Sequence, residues 1–315
     1  MAEFDISELP EGCIANVLSL TSPRDTGRLS SISATFRSAA DSDAVWRHFL
    51  PPDYESIVAH SSDSSSLHGL PLKELYFRLC TNPILIDEGR KILKSFCRRN
   101  PDEDLSFWLD KWSGKQCYML SARDLFIVWG DTPRYWGWTS SFNPKSRFPE
   151  VAVLLAVCWL EIRGKINVAV LSPSTRYAAY LVFSYDEMAY GFDNRPVEVG
   201  VGFVGSEESR MRSVYLDMET RQRQRYQIVP RIRRFNFSNP SRILGPATPS
   251  PRQEDDRGEY PKERSDKWWE IELGEFTTGE GPEGELEMSV LEVKGGGWKK
   301  GLVIQGIEIR PKDGK

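Results

Sequence analysis

Near Gln116 the apolar residues of this chain change their period, and that change splits the fold in two. Before it they recur at intervals of three and four; after it they alternate. A 3.6-residue period lines one side of a helix, and a two-residue period lines one face of a strand. A helical part must therefore be followed by a strand-rich part, each with its own way of covering its apolar side.

In the helical part Ile14, Val17 and Leu18 fall on one predicted face, after Pro10 in the first turn. Ser22-Pro23 with Asp25 three residues on resembles a capping box with Asp in place of Glu. A second helix is expected to carry Leu29, Ile32, Phe36 and Ala40, broken by Asp41 and Asp43. A third piece holds Val45, Trp46, Phe49 and Leu50 and is stopped by Pro51-Pro52. Helices this short hide little of their own surface. Either the rest of the chain or another protein has to cover them, and the pattern alone leaves both open.

Residues 52–112 read as a mostly helical connector. His60-Ser-Ser-Asp-Ser-Ser-Ser66 is expected to be a flexible link. Leu72, Leu75, Tyr76 and Leu79 follow Pro71 at helical spacing, and Ile92, Leu93 and Phe96 suggest another helix ended by Asn100-Pro101.

Beyond it, Ile166, Val168 and Val170 alternate with polar or small residues, as do Val197, Val199, Val201 and Phe203. Trp269, Ile271 and Leu273, then Leu286, Met288 and Val290, do the same. Such strands with Gly and Pro between them predict an antiparallel β-sandwich over residues 113–315. Residues 151–160 fit either a short helix or a buried strand. Residues 238–266, with five prolines among polar residues, read as a long polar loop or disordered insertion.

The segment Trp129-Gly-Asp-Thr-Pro-Arg-Tyr135-Trp136-Gly-Trp138 is the candidate binding region. Leu125, Ile127 and Trp129 are expected on one strand face, and Trp136 and Trp138 point one way on the next extended piece. Flat aromatic faces stack on the C–H faces of sugar rings while neighbouring polar groups bond the hydroxyls. The same rings also make good core. Three adjacent indoles are hard to bury together, so at least one is expected to be exposed.

Other chemistries find little support. Net charge is −4, which gives no bulk attraction to nucleic acid or anionic membrane. The longest apolar run, Val151–Leu160, is far shorter than the roughly 20 residues that span a bilayer. The opening Met-Ala-Glu-Phe-Asp has no apolar stretch, so no secretory signal is expected. Cys13, Cys80, Cys97, Cys117 and Cys158 are odd in number and lack a Cys-x-x-Cys, which reads as reduced thiols in cytoplasm or nucleus. His48, His60 and His68 all precede the sandwich, leaving it without histidine for a catalytic triad or metal site. No cofactor is implied. Glu270 and Glu272 share a strand face, but read as a solvated face before a glycosidase pair. Arg221, Arg223, Arg225, Arg231, Arg233 and Arg234 sit near acidic residues and read as a solvated edge.

Two resemblances sharpen this. Leu9, Pro10, Ile14, Leu18, Ser22-Pro23-Arg24-Asp25, Leu29, Ser33, Phe36, Arg37 and Trp46 resemble an F-box, with Thr26-Gly27 where the family usually has a large apolar residue. The resemblance implies docking on a Skp-type adaptor, and through it a cullin, by Leu9, Pro10, Ile14, Leu18, Pro23, Leu29, Phe36 and Trp46. Cys117–Leu125, Trp129–Trp136, Cys158–Lys165, Tyr177–Tyr180, Trp269–Phe276 and Trp298–Ile309 resemble the phloem protein 2 family, whose lectin members are called Nictaba-like. That implies a jelly-roll-like sandwich binding N-acetylglucosamine oligomers or N-glycan cores. Trp129 and Trp136 match the lectins' binding tryptophans, and Tyr135 and Trp138 flank them. Together the two imply the plant F-box phloem protein 2-B arrangement: an F-box at 1–51, a connector at 52–112 and a lectin-like domain at 113–315. Such a chain would be a non-catalytic substrate receptor of an SCF-type ubiquitin ligase.

Overall fold

The computed structural model describes residues 9–86, 105–140, 145–193, 195–206, 210–217, 259–279 and 284–312. The expected helix around Ile92–Phe96, Cys97 and the arginine run at 221–234 lie outside them.

The described residues begin with seven short helices: α1 (Glu11–Ser19), α2 (Pro23–Leu29), α3 (Ala34–Asp41), α4 (Asp43–Phe49), α5 (Tyr54–Ala59), α6 (Ser64–Leu67) and α7 (Leu72–Thr81). Capping explains several boundaries. The Ser22 hydroxyl accepts the Asp25 backbone N–H at 3.1 Å and donates to the Asp25 carboxylate at 2.8 Å. Ser33 accepts the Phe36 N–H at 3.2 Å and starts α3. The expected single helix from Leu29 to Ala40 is therefore two, and Ile32 sits exposed in the break between them. Residues 60–66 are not a free link: Ser61 is buried, pairs with Ile86, and is followed directly by α6.

Among the described residues of the connector the helices are α5, α6 and α7. Two strands, β1 (Ile84–Ile86) and β2 (Leu105–Leu109), then join the sandwich. The remaining strands are β3 (Gln116–Ser121), β4 (Phe126–Ile127), β5 (Trp136–Thr139), β6 (Val151–Leu154), β7 (Leu160–Asn167), β8 (Arg176–Tyr190), β9 (Pro196–Phe203), β10 (Arg210–Tyr215), β11 (Lys262–Glu263), β12 (Trp269–Thr277), β13 (Glu285–Glu292) and β14 (Lys300–Pro311). They form a nine-stranded sheet, β1-β2-β3-β14-β8-β12-β11 with β5 and β6 paired off β14, and a five-stranded sheet, β10-β9-β13-β7-β4. Among the described residues every ladder is antiparallel, as the alternation predicts.

Several local expectations give way. The ambiguous 151–160 stretch contains the strand β6 and the start of β7. The Ile166-Val168-Val170 alternation stops at Asn167, whose side chain accepts the Ala169 N–H at 2.9 Å and turns Val168–Val170 into a 3-10 helix. The end of the presumed polar loop is folded: residues 259–266 supply β11 and Arg264 to the outer side of the larger sheet.

There Glu308 on β14 is buried yet ionic. Arg147, Arg264 and Arg310 approach its carboxylate at 3.2, 3.1 and 2.5 Å. Burial acts to raise the carboxyl's pKa, but the three guanidinium groups outweigh it and hold the pKa below the ordinary value. Beside this cluster Met119, Phe148, Val151, Val182, Trp268 and Val303 form a second apolar core, apart from the main one between the sheets.

Helices and sandwich share that main core. Trp46 donates its indole N–H to the Ala40 carbonyl at 2.6 Å and packs against Phe49, Tyr76 and Phe77. The Tyr76 hydroxyl reaches the Asp110 and Lys111 carbonyls at 3.3 and 3.2 Å, in the turn between β2 and β3. Gly114 in that turn has φ +71°, and a Cβ there would stand 3.3 Å from the Phe49 carbonyl oxygen and 3.4 Å from Pro23. The positive φ favours glycine, and the close approach lets α2 and α4 sit against the sandwich.

Candidate functional site

The helical face follows from which residues the core takes. Ile14 and Leu18 on α1 are buried inside the chain, as are Pro23 and Trp46. Leu9, Leu29 and Phe36 are half-buried against the same core, and Pro10 is exposed. Val17, expected beside Ile14 and Leu18, faces solvent with Leu20 and Ile32. Of the two covers the pattern left open, the chain itself supplies one for Ile14, Leu18 and Trp46, while Val17, Leu20 and Ile32 stay exposed. Helices α3 and α4 pack on α1, and α7 and the 110–114 turn pack on α4 and Pro23, so Ile14, Leu18, Pro23 and Trp46 shape the face from beneath. Val17, Leu20 and Ile32 were missed as candidates because a 3.6-residue period cannot say which of two adjacent apolar stripes meets the core.

The Thr26-Gly27 departure has a local account. Thr26 is buried; its hydroxyl lies 3.3 Å from the Leu18 carbonyl and 3.1 Å from the Thr21 hydroxyl. It ties α2 to the end of α1, while Gly27 faces open space.

At the sandwich the four aromatic candidates separate. Strand β4 is only two residues long, so Trp129 does not continue the Leu125-Ile127 face. It adopts φ 59°, a backbone that costs roughly 1–2 kcal/mol for a residue with a Cβ. Hydrogen bonds from Gly130 N–H to Ile127 O and from Thr132 N–H to Trp129 O, both 2.9 Å, hold that turn. The ring is turned outward, 45 % exposed, with Tyr135 beside it at 5.2 Å between centroids. The Arg134 guanidinium lies 5.9 Å from the Tyr135 ring.

Trp136 is a correction. Trp136 is 2 % exposed, part of the main core, and cannot meet a ligand. Trp138 is half-buried: its N–H bonds the Gly130 carbonyl at 3.1 Å, and Arg123 covers its ring at 3.6 Å while binding Glu150 at 2.9 and 2.7 Å. Trp136 supports the turn from within, Trp138 and Tyr135 are half-buried at its sides, and Trp129 is the exposed ring it presents. Glu270 and Glu272 are engaged with Arg264, Arg310, Arg212 and Lys312, an arrangement of fixed ion pairs. Among the described residues no cluster of His, Cys, Asp or Glu fits a metal ion.

Residues 115–311 match the family model for phloem protein 2, well over half the chain, and residues 6–48 match that for the F-box domain. The chain belongs to the F-box proteins of the phloem protein 2 family. Its relatives include the Arabidopsis thaliana F-box protein At2g02240, 46 % identical over 98 % of this chain and 80 % of that one. F-box protein PP2-B10 of the same plant is 43 % identical over 96 % of this chain and 92 % of its own length. F-box protein PP2-B1 is 41 % identical over 96 % and 89 %. Among solved structures, the CBM22-1 xylan-binding domain of Paenibacillus barcinonensis Xyn10C superposes with a TM-score of 0.27 at 8 % identity, over 62 % of this chain and 90 % of that one. That likeness is too distant to carry weight. In this F-box phloem protein 2 chain, the F-box match falls on α1–α4 and the phloem protein 2 match begins just before β3 and ends with β14.

Proposed function

We propose that this chain is the substrate-recognition subunit of an SCF-type ubiquitin ligase. Its F-box docks on a Skp-type adaptor, which joins it to a cullin. Its sandwich holds a glycoprotein target by an N-glycan or N-acetylglucosamine oligomer lying on Trp129. The chain performs no covalent chemistry; it raises the concentration of target beside a ubiquitin-charged enzyme. This work takes place in the cytoplasm or nucleus.

The observation that carries the reading is the pairing, in one chain and over one shared core, of an F-box with outward Val17, Leu20 and Ile32 and a lectin-like sandwich with outward Trp129. The shared core supports a fixed distance between the two surfaces.

Co-purification of the full chain with the adaptor tests the first half. Leu20→Asp with Ile32→Asp is expected to abolish capture while leaving the melting temperature intact, because both side chains are solvent-facing. Capture of the double variant at the wild-type level would contradict the reading. Leu18→Asp is a poor probe, since a charge at a buried core position unfolds the helices. A glycan array on the full chain tests the second half, with binding expected to be lost in Trp129→Ala.

A second reading has an observation of its own. Helix α4 already packs on α7, and α2 and α4 meet the 110–114 turn, as a lectin with an intramolecular helical cap would require. That reading expects glycan binding and no adaptor capture.

A further inference from the structure

The outer face of the five-stranded sheet carries a second set of rings that the Trp129 turn does not account for. Along β7 the buried Leu160, Ile162 and Ile166 alternate with Glu161, Arg163 and Lys165, so Trp159, just before the strand, falls on the outward side with the charged residues. Trp159 is 42 % exposed. On the neighbouring β4, Phe126 is 59 % exposed and lies directly opposite Arg163. Both are large apolar groups beside the charged outward residues of β7; Met211 on β10 is exposed farther across the same face.

The polar groups between them form one connected rail. The Trp159 indole N–H donates to Glu161 Oε2 at 3.0 Å, and Arg163 Nε donates to Glu161 Oε1 at 2.8 Å. Arg163 Nη1 donates to Glu287 Oε1 on β13 at 2.6 Å, and Lys165 Nζ lies 3.2 Å from Glu287 Oε2. Burial opposes the Glu161 charge, but the bonds from Arg163 and Trp159 outweigh it and hold its carboxyl below the usual range. The rail thus contains two carboxylates and two cations, all oriented by each other. It offers fixed donors and acceptors without net charge.

This face also runs into the Trp129 turn. The Val128 N–H bonds the Glu161 carbonyl at 3.1 Å, so Trp129 follows that bond by one residue and Trp159 precedes it by two.

We propose that Trp159, Glu161, Arg163 and Phe126 form an outer subsite continuous with Trp129, which takes the further rings of a neutral oligosaccharide. The proposal rests on the glycan half of the function proposed above. An uncharged ligand suits a rail whose charges cancel, and a ligand with both C–H faces and hydroxyls suits rings alternating with oriented polar groups. Trp159 to the Arg163–Phe126 position spans four residues, roughly 13 Å at about 3.3 Å each. That is longer than one pyranose, so the site discriminates by chain length.

Calorimetry with the N-acetylglucosamine dimer and tetramer on the full chain tests this. Wild type is expected to bind the tetramer at least about tenfold more tightly than the dimer. Trp159→Ala should erase that tetramer advantage and leave dimer affinity unchanged, whereas Trp129→Ala should weaken both. Trp159→Phe, which keeps a ring, should restore part of the advantage. If Trp129→Ala weakens binding while Trp159→Ala leaves the tetramer-to-dimer ratio at the wild-type value, the outer subsite is refuted and the Trp129 reading stands. If wild type binds neither sugar, the glycan reading itself fails and the subsite with it. A melting temperature matching wild type in Trp159→Ala guards against loss of fold.

Discussion

Replacing Glu308 by Gln removes the anion around which three guanidinium groups are built. Their nitrogens lie 3.2, 3.1 and 2.5 Å from the carboxylate, and the side chain is only 2 % exposed. Gln is nearly the same size, so packing is preserved and the change isolates charge. Deleting one partner of a buried ionic group leaves the others uncompensated and costs about 3–5 kcal/mol. Glu270 still binds Arg264 and Arg310, at 2.8 and 2.7 Å, so the lower end of that range applies. For a domain of this size each kcal/mol moves the melting temperature by about 2–4 °C, so a drop of roughly 6–12 °C is expected at neutral pH. The pH dependence has a definite sign. The folded chain holds this carboxyl below its ordinary value of about 4.3. Its contribution is therefore complete above that pH and is lost as pH falls through the folded value. Thermal melts of wild type and Glu308→Gln from pH 7 down to pH 3 should show a gap that is widest at neutrality and narrows in acid. A gap under about 2 °C at pH 7, or one that does not change with pH, would refute the assignment of the buried charge.

Trp136→Ala should cost about 3–5 kcal/mol in denaturant unfolding, as expected for a core aromatic, whereas Trp129→Ala, which removes an exposed ring, should change stability little. Equal losses in the two variants would contradict the separation of core from surface ring. Gly114→Ala should destabilise the helix–sandwich junction by more than about 1 kcal/mol, from its positive φ and the nearby Phe49 carbonyl, seen as faster proteolysis between α7 and β3. Gly27→Ala, at a helical position with open space, should stabilise by up to about 1 kcal/mol in chemical denaturation.

The division into helices and sandwich was legible because each period survives in any tertiary setting. The alternation at Ile271 and Leu273, or at Leu286, Met288 and Val290, needs only a sheet with one covered face, and the structure buries all five. Ser22 marked a helix start, since capping is a contact between near neighbours, while the Ser33 cap that splits the expected Leu29–Ala40 helix was missed. The aromatic segment 129–138 was visible as a candidate site from its composition. Which of its rings faces water was not, because a strained turn at Trp129 and a cation over Trp138 are set by residues such as Ile127, Arg123 and Glu150.

The same limit runs through the helical part. Sequence by itself determined that short amphipathic helices precede an antiparallel sandwich, because hydrophobic period and capping are local properties of the chain. Only the tertiary structure decided that Leu18 and Trp46 turn inward while Leu20, 74 % exposed, turns out. It also brought Glu161 beside Trp159 and Arg163, and Arg264 across to Glu308. Those choices depend on what packs against each face, and burial by a distant segment leaves no mark in the local pattern.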